Sequence, residues 1–258
     1  MKKKLHEKFE KFVKKYNQDI DMIQLKHRHS YRVAKLAAML AEKEKLSTEK
    51  IYLAYVIGLL HDIGRFKQVE TYDSTDDLYL DHGDYGAYIL FEEGLISEFY
   101  LKHEHYHIIE KAIINHNKKT IENMVDEEEL LFTKIIRDAD KLDIFYLITQ
   151  REIVLWYEGF EVSDDIWQKF IAFEAIDYQD IKSLADQFLL YMALVFDLNF
   201  ITSFKYLDEQ NYIEKMIKDY NYNFTFSLEK VHNLVNEYIE KKLEGDNHAA
   251  ISSDNFRN

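Results

Sequence analysis

Apolar residues recur at three- and four-residue intervals along nearly the whole chain, the repeat that buries one face of an α-helix. The pattern predicts helices over residues 3–19, from about His27 to Lys45, and from Ser47 or Thr48 to about His61. Ser47 or Thr48 is placed to cap the third helix, with Glu49 in its first turn. Residues 64–81 lose the repeat and carry Asp73, Ser74, Thr75, Asp76 and Asp77, which predicts a loop. Helices resume near Gly83–Glu93, Glu104–His116 and Glu127–Asp140. Beyond Lys141 the repeat continues with breaks near Gly159–Ser163, Tyr178 and Asn221, and Thr225 or Ser227 is placed to cap the last long helix. The polar stretch after Gly245 has no period, so 246–258 are expected to form a disordered tail. No period-two alternation persists, and the predicted fold class is all-α. No linker interrupts the chain, so residues 1–245 read as a single domain, with a His-rich core at about 25–145 and a Tyr- and Phe-rich helical extension at about 151–245.

Composition sharpens this. Proline is absent and only seven glycines occur in 258 residues, so little interrupts a helix. There are no cysteines, which removes disulfides, zinc–thiolate sites and cysteine nucleophiles. Any metal must sit on histidine and carboxylate, a ligand set that suits Mn, Fe, Mg, Co, Ni or Zn. The formal net charge of −14 disfavours non-specific DNA binding, which needs a basic stripe. It does not exclude a small anionic substrate, because a bound cation inverts the local field. No apolar window is long enough for a membrane span, and the Lys-rich start turns charged again before any signal-like core, so a cytoplasmic protein is expected.

Candidate chemistry comes from where the polar residues fall on apolar stripes. His29 shares a helical stripe with Val33, Leu36 and Leu40; His61 ends an apolar helix and is followed by Asp62; Asp140 lies four residues after Ile136. Inward-facing imidazoles and carboxylates cost several kcal/mol unless paired or metal-bound. Three such positions on three helices call for one explanation, and a shared cation supplies it. His116 falls on the stripe of Ile109, Ala112 and Ile113, and His82 opens a helix after Asp81. The six residues His29, His61, Asp62, His82, His116 and Asp140 suffice for two adjacent ions bridged by Asp62, or for one ion with His82 and His116 turned to substrate. A lone histidine on a helix face is more often packed or solvated than a ligand; His103, His105 and His107, among Glu and Lys, read as solvent-exposed.

The order of these elements resembles the HD superfamily of metal-dependent phosphohydrolases. His29 stands in a His-x-x-Arg-Val context, His61-Asp62-Ile63-Gly64-Arg65 follows, and Asp140 lies in Asp138-Ala139-Asp140-Lys141-Leu142-Asp143. The resemblance spans about 25–145 and implies an HD-type helical bundle around one or two divalent ions. His82 and His116 match the extra histidines of two-ion members. Two subgroups fit poorly. The cyclic-dinucleotide hydrolases carry a Gly-Tyr-Pro motif that a proline-free chain lacks. The alarmone hydrolases carry acidic residues where Gly64-Arg65-Phe66 stands.

The implied activity is hydrolysis of a phosphomonoester or phosphodiester of a small phosphorylated molecule, a nucleotide foremost, by metal-activated water. Asp62 is the expected catalytic residue, orienting the water and accepting its proton. Arg65, Asn117 and Lys118 are placed to hold phosphate, and Arg32 to brace Asp62 or Asp143. Two other readings use the same ligands: a di-iron oxygenase, and a non-catalytic nucleotide-binding module. The Tyr- and Phe-rich region reads mainly as core, with a cap over the site or a homodimer surface left open.

Overall fold

The computed structural model describes residues 2–122 and 126–254, with the side chains of 245–254 outside the described set. Among the described residues there is no β-strand, and the fold is all-α. The chain forms two compact units, Met1–Asp143 and Ile144–Asn258. The division falls close to where the sequence ends its His-rich core, within a stretch read as one domain.

In the first unit, α1 (Lys2–Val13) buries Leu5, Phe9, Phe12 and Val13. Helices α2 (Asp21–Lys43) and α3 (Thr48–Leu60) form the most extensive helix pair of the unit. Helix α3 is apolar almost all round and buries every residue from Leu53 to Leu60, the mark of a helix enclosed by neighbours. Ser47 caps it, accepting the Lys50 backbone N–H at 3.3 Å. The two helices approach closely at Gly58: a Cβ there would lie 2.7 Å from the Ala34 Cα. That crossing sets His29 on α2 beside His61 at the end of α3.

The predicted 64–81 loop is in part helix. Residues Arg65–Tyr72 form α4, which buries Arg65, Phe66, Gln68 and Val69. Phe66 and Val69, spaced i, i+3, supply an apolar face too short to show as a repeat. The helix ends at Asp73, which adopts a left-handed conformation (φ 49°). Helix α5 (His82–Ala87) is capped by Asp81, which accepts the Asp84 N–H at 3.0 Å, and continues into a π-helical turn at Tyr88–Glu92. Helices α6 (Tyr106–Asn115) and α7 (Glu127–Thr149) complete the frame.

The second unit contains α8 (Asp164–Ile171), α9 (Leu184–Ala193), α10 (Ile201–Glu209), α11 (Tyr212–Asp219) and α12 (Leu228–Asp254). Its buried Phe170, Phe188 and Phe204 show aromatic residues serving as core. Buried Asp186 accepts the Ser163 N–H and hydroxyl, both at 2.7 Å, which ties down the start of α8. Ser227 accepts the Lys230 N–H at 3.3 Å at the head of α12. The backbone of 246–254, expected as a disordered tail, continues α12, since no proline interrupts it; 255–258 lie outside the described residues.

Candidate metal centre

Three helix ends and two helix middles converge in the first unit. His29 comes from the middle of α2, His61 and Asp62 from the turn after α3, His82 from the first position of α5, His116 from the end of α6, and Asp140 from α7. The structure therefore brings together all six candidate ligands named from the sequence. His29 and His61 are fully buried, and Asp62, His82 and His116 keep 2–3% exposure.

The imidazoles share one orientation. His61 Nδ1 lies 2.8 Å from the Gly58 carbonyl and His116 Nδ1 lies 2.6 Å from the Ile113 carbonyl. A carbonyl can only accept, so both Nδ1 atoms carry the proton and donate. His29 Nδ1 lies 2.6 Å from Asp143 Oδ2, and His82 Nδ1 2.6 Å from Asp77 Oδ1, which are again acceptors. With Nδ1 occupied, each ring aims Nε2 at the centre. His29 Nε2 is 3.1 Å from Asp140 Oδ1 and 3.4 Å from Asp62 Oδ2; His61 Nε2 is 3.6 and 3.5 Å from the same two oxygens. Both Nε2 atoms are buried without a hydrogen-bond partner. Orphaned nitrogens between two carboxylates fit a divalent cation: neutral imidazole and carboxylate are its ligands, and Nδ1 anchored on oxygen is the usual support of a ligating histidine.

Asp62 divides the cluster. Its Oδ2 faces His29 and His61, while its Oδ1 lies 3.3 Å from His82 Nε2 and 3.8 Å from His116 Nε2. The second half already contains a cation. Arg65 Nη2 sits 3.0 Å from His82 Nε2, and the His82 and His116 Nε2 atoms are 2.9 Å apart. His29, His61 and Asp140 form one potential ligand group and His61, Asp62 and His116 a second. Glu49, Glu104 and His105 lie close together on the surface, but Lys102 donates to Glu49 at 2.6 Å and to Glu104 at 3.2 Å.

The electrostatics follow from burial against pairing. Burial and neighbouring Lys26 depress the His29 imidazole, and the facing carboxylates of Asp140, Asp143 and Asp62 overcome them and raise it to about 10. Burial favours the neutral Asp62 carboxyl, yet Lys26, His61 and the facing imidazoles hold it well below the usual carboxylate range. Asp140 is likewise held low, against burial, by His29 and His61. Burial pushes His116 down to about 4.

The three residues expected to hold phosphate are all paired within the protein. Arg65 Nη1 donates to Gln68 Oε1 at 2.6 Å, the Thr75 carbonyl at 2.7 Å and Asp77 Oδ1 at 3.0 Å. Asn117 Nδ2 donates to Asp77 and Asp81, both at 3.2 Å. Lys118 Nζ donates to Asp81 at 2.6 Å and Asp84 at 2.9 Å. Arg32 braces Asp143, donating from Nε to Oδ1 at 2.7 Å, which is one of its two sequence-predicted roles.

Three functional residues escaped the sequence. Asp77, read as part of an acidic loop, anchors His82, Arg65 and Gln68 on its Oδ1. Asp143, noted only as something for Arg32 to brace, orients His29. Lys26, whose Nζ lies 2.7 Å from Asp62 Oδ2, precedes His29 by one helical turn, and that spacing was the available signal.

Residues 27–144 match the family model described as the HD domain. This segment is an HD domain. Its limits enclose all six clustered residues and close at the end of the first compact unit. HD domains form a superfamily of metal-dependent hydrolases with a helical fold, in keeping with this architecture and with His/Asp groups spaced to hold a metal ion. No curated protein and no solved structure gives a match to the chain. No helix among the described residues is long and apolar enough to cross a membrane.

The Asp143–His29 bond carries a first prediction. In Asp143→Asn the side-chain volume stays while the charge that fixes the His29 tautomer goes. Divalent-ion affinity is expected to fall about 10- to 100-fold, read by calorimetric titration, with the helical signal retained. Unchanged affinity would show that His29 is positioned by packing alone.

Proposed function

We propose that this chain is a metal-dependent phosphohydrolase that cleaves a phosphoester of a small phosphorylated molecule, foremost a nucleotide. The observation that carries the reading is the set of four buried imidazoles, each with Nδ1 anchored on an oxygen and Nε2 aimed at Asp62 or Asp140. His29, His61, Asp62 and Asp140 would hold the divalent ion, with His82 and His116 on the far side of Asp62. A divalent cation bound there supplies Lewis acidity toward phosphoryl oxygens and lowers the pKa of water toward neutrality.

The residues do the rest. Asp62 orients the attacking water and accepts its proton, which leaves on the departing oxygen of the ester. Arg65 keeps a fixed positive charge against His82 and Asp77, a preorganised field for charge developing on the phosphoryl group. For Asn117 or Lys118 to reach a phosphate, the substrate must draw them from Asp77, Asp81 and Asp84. Burial of the cluster keeps bulk water from competing, while Asp140, 17% exposed in its side chain, marks the open side.

The test is metal-resolved turnover. Protein stripped by chelator is reloaded with Mn, Fe, Mg, Co, Ni or Zn in turn and assayed on an aryl phosphate, an aryl phosphodiester and a nucleotide panel. Metal-dependent phosphate release is the expected result. Stoichiometric bound metal with no turnover of any substrate would sink the proposal; iron content with oxygen consumption would instead mark an oxygenase.

A further inference from the structure

Lys26 is the cation that meets the centre at Asp62, with its own side chain partly exposed. Its Nζ lies 2.7 Å from Asp62 Oδ2, and its side chain keeps 16% exposure against 2% for Asp62. The same Oδ2 lies 3.4 and 3.5 Å from the orphaned Nε2 atoms of His29 and His61. The ammonium therefore neutralises the very oxygen that a divalent ion among these residues would take. Two cations cannot share it at full strength, since their mutual repulsion in a buried setting is large. Arg65, by contrast, has its two Nη atoms engaged by Gln68, Thr75, Asp77 and His82.

We propose that Lys26 is both the placeholder for the ion and the phosphoryl-binding residue of the site. The inference rests on the metal-dependent phosphohydrolase reading. When the ion takes Asp62, the Lys26 ammonium is freed, but its Cα stays fixed on α2 one turn before His29. A four-carbon stem with a compact, rotatable charge would then remain within reach of the ion and of solvent. An anion bound there would be held by the ion and by Nζ together. The ligand class this fits is a phosphoryl group with at least two free anionic oxygens, one for each cation.

The experiment uses the full chain, wild type, Lys26→Met and Lys26→Arg, with Mn and inorganic phosphate as probes. Met keeps most of the stem and removes the charge. With the competitor gone, Lys26→Met is expected to bind Mn at least as tightly as wild type. Its metal-loaded form is expected to bind phosphate about tenfold or more weakly, the scale of one charge-assisted hydrogen bond. Lys26→Arg is expected to keep most phosphate affinity. Phosphate bound equally by wild type and Lys26→Met overturns the clamp; a tenfold loss of Mn affinity in Lys26→Met overturns the placeholder. A wild-type protein that takes up Mn but neither binds phosphate nor cleaves an aryl phosphate overturns the phosphohydrolase reading itself. If Lys26→Met does not fold, amine-labelling of wild type read by mass spectrometry decides. Mn should raise labelling at Lys26 and phosphate should lower it again, and a Lys26 signal indifferent to phosphate overturns the proposal.

Discussion

Asp62→Ala is expected to abolish phosphate release and metal retention together while the far-ultraviolet helical signal persists. Asp62 is the residue whose two oxygens face both halves of the cluster, His29 and His61 through Oδ2 and His82 and His116 through Oδ1. Its removal strips an anionic ligand and leaves the imidazole nitrogens with Asp140 as the facing carboxylate. Turnover should fall by about three orders of magnitude or more, beyond the cost of deleting a single hydrogen-bond donor from a preorganised site. The fold should survive for a local reason. Asp62 lies in the turn between α3 and α4, outside the apolar seam of α2 and α3, and its partner Lys26 can turn to solvent. Metal content by mass spectrometry, phosphate release and circular dichroism on one preparation check the three parts. Full activity in this variant would remove Asp62 from the mechanism.

The ligand cluster was legible because most of its members sit on helical stripes, while Asp62 follows His61 directly and His82 opens a helix after Asp81. His29 lies in register with Val33 and Leu36, His116 with Ile109 and Ile113, and Asp140 with Ile136, so periodicity alone turned them inward. Their convergence was not legible, since it depends on how α2 crosses α3 and where α5 and α6 deliver His82 and His116. The supporting residues were harder still. Asp77 reads as one of several acidic loop residues, and only the tertiary placement of Arg65, Gln68, His82 and Asn117 gives it its partners. Helix α4 was missed because it is two turns long and only four residues separate it from a helix that ends at Leu60. Lys26 was missed because a lysine before a histidine-rich stretch looks solvated until the position of Asp62 is known. In each case the missing information was tertiary: a polar residue acquires a role from what another element places opposite it.

Gly64→Ala should be the most damaging single-methyl change near the site. Gly64 has ordinary right-handed helical angles (φ −71°, ψ −24°), so its backbone conformation does not require glycine. Space does. A Cβ there would overlap the His82 carbonyl oxygen and come within 2.7 Å of the Gly86 backbone nitrogen. Both are backbone atoms of α5, so no side chain can swing aside and α5 itself must move. Gly64 is the capping residue of α4, where alanine brings no compensating gain, and overpacking against backbone is expected to cost about 2 kcal/mol. The chemistry should suffer more than the fold. His82 opens α5, with Nε2 3.3 Å from Asp62 Oδ1 and 2.9 Å from His116 Nε2, and a displacement near 1 Å costs about 100-fold in a preorganised site. Denaturant unfolding and turnover of the metal-loaded protein read the two effects separately. Destabilisation with unchanged turnover would mean that His82 lies outside the reacting site. A stabilised, fully active variant would mean that α5 does not rest on Gly64 at all.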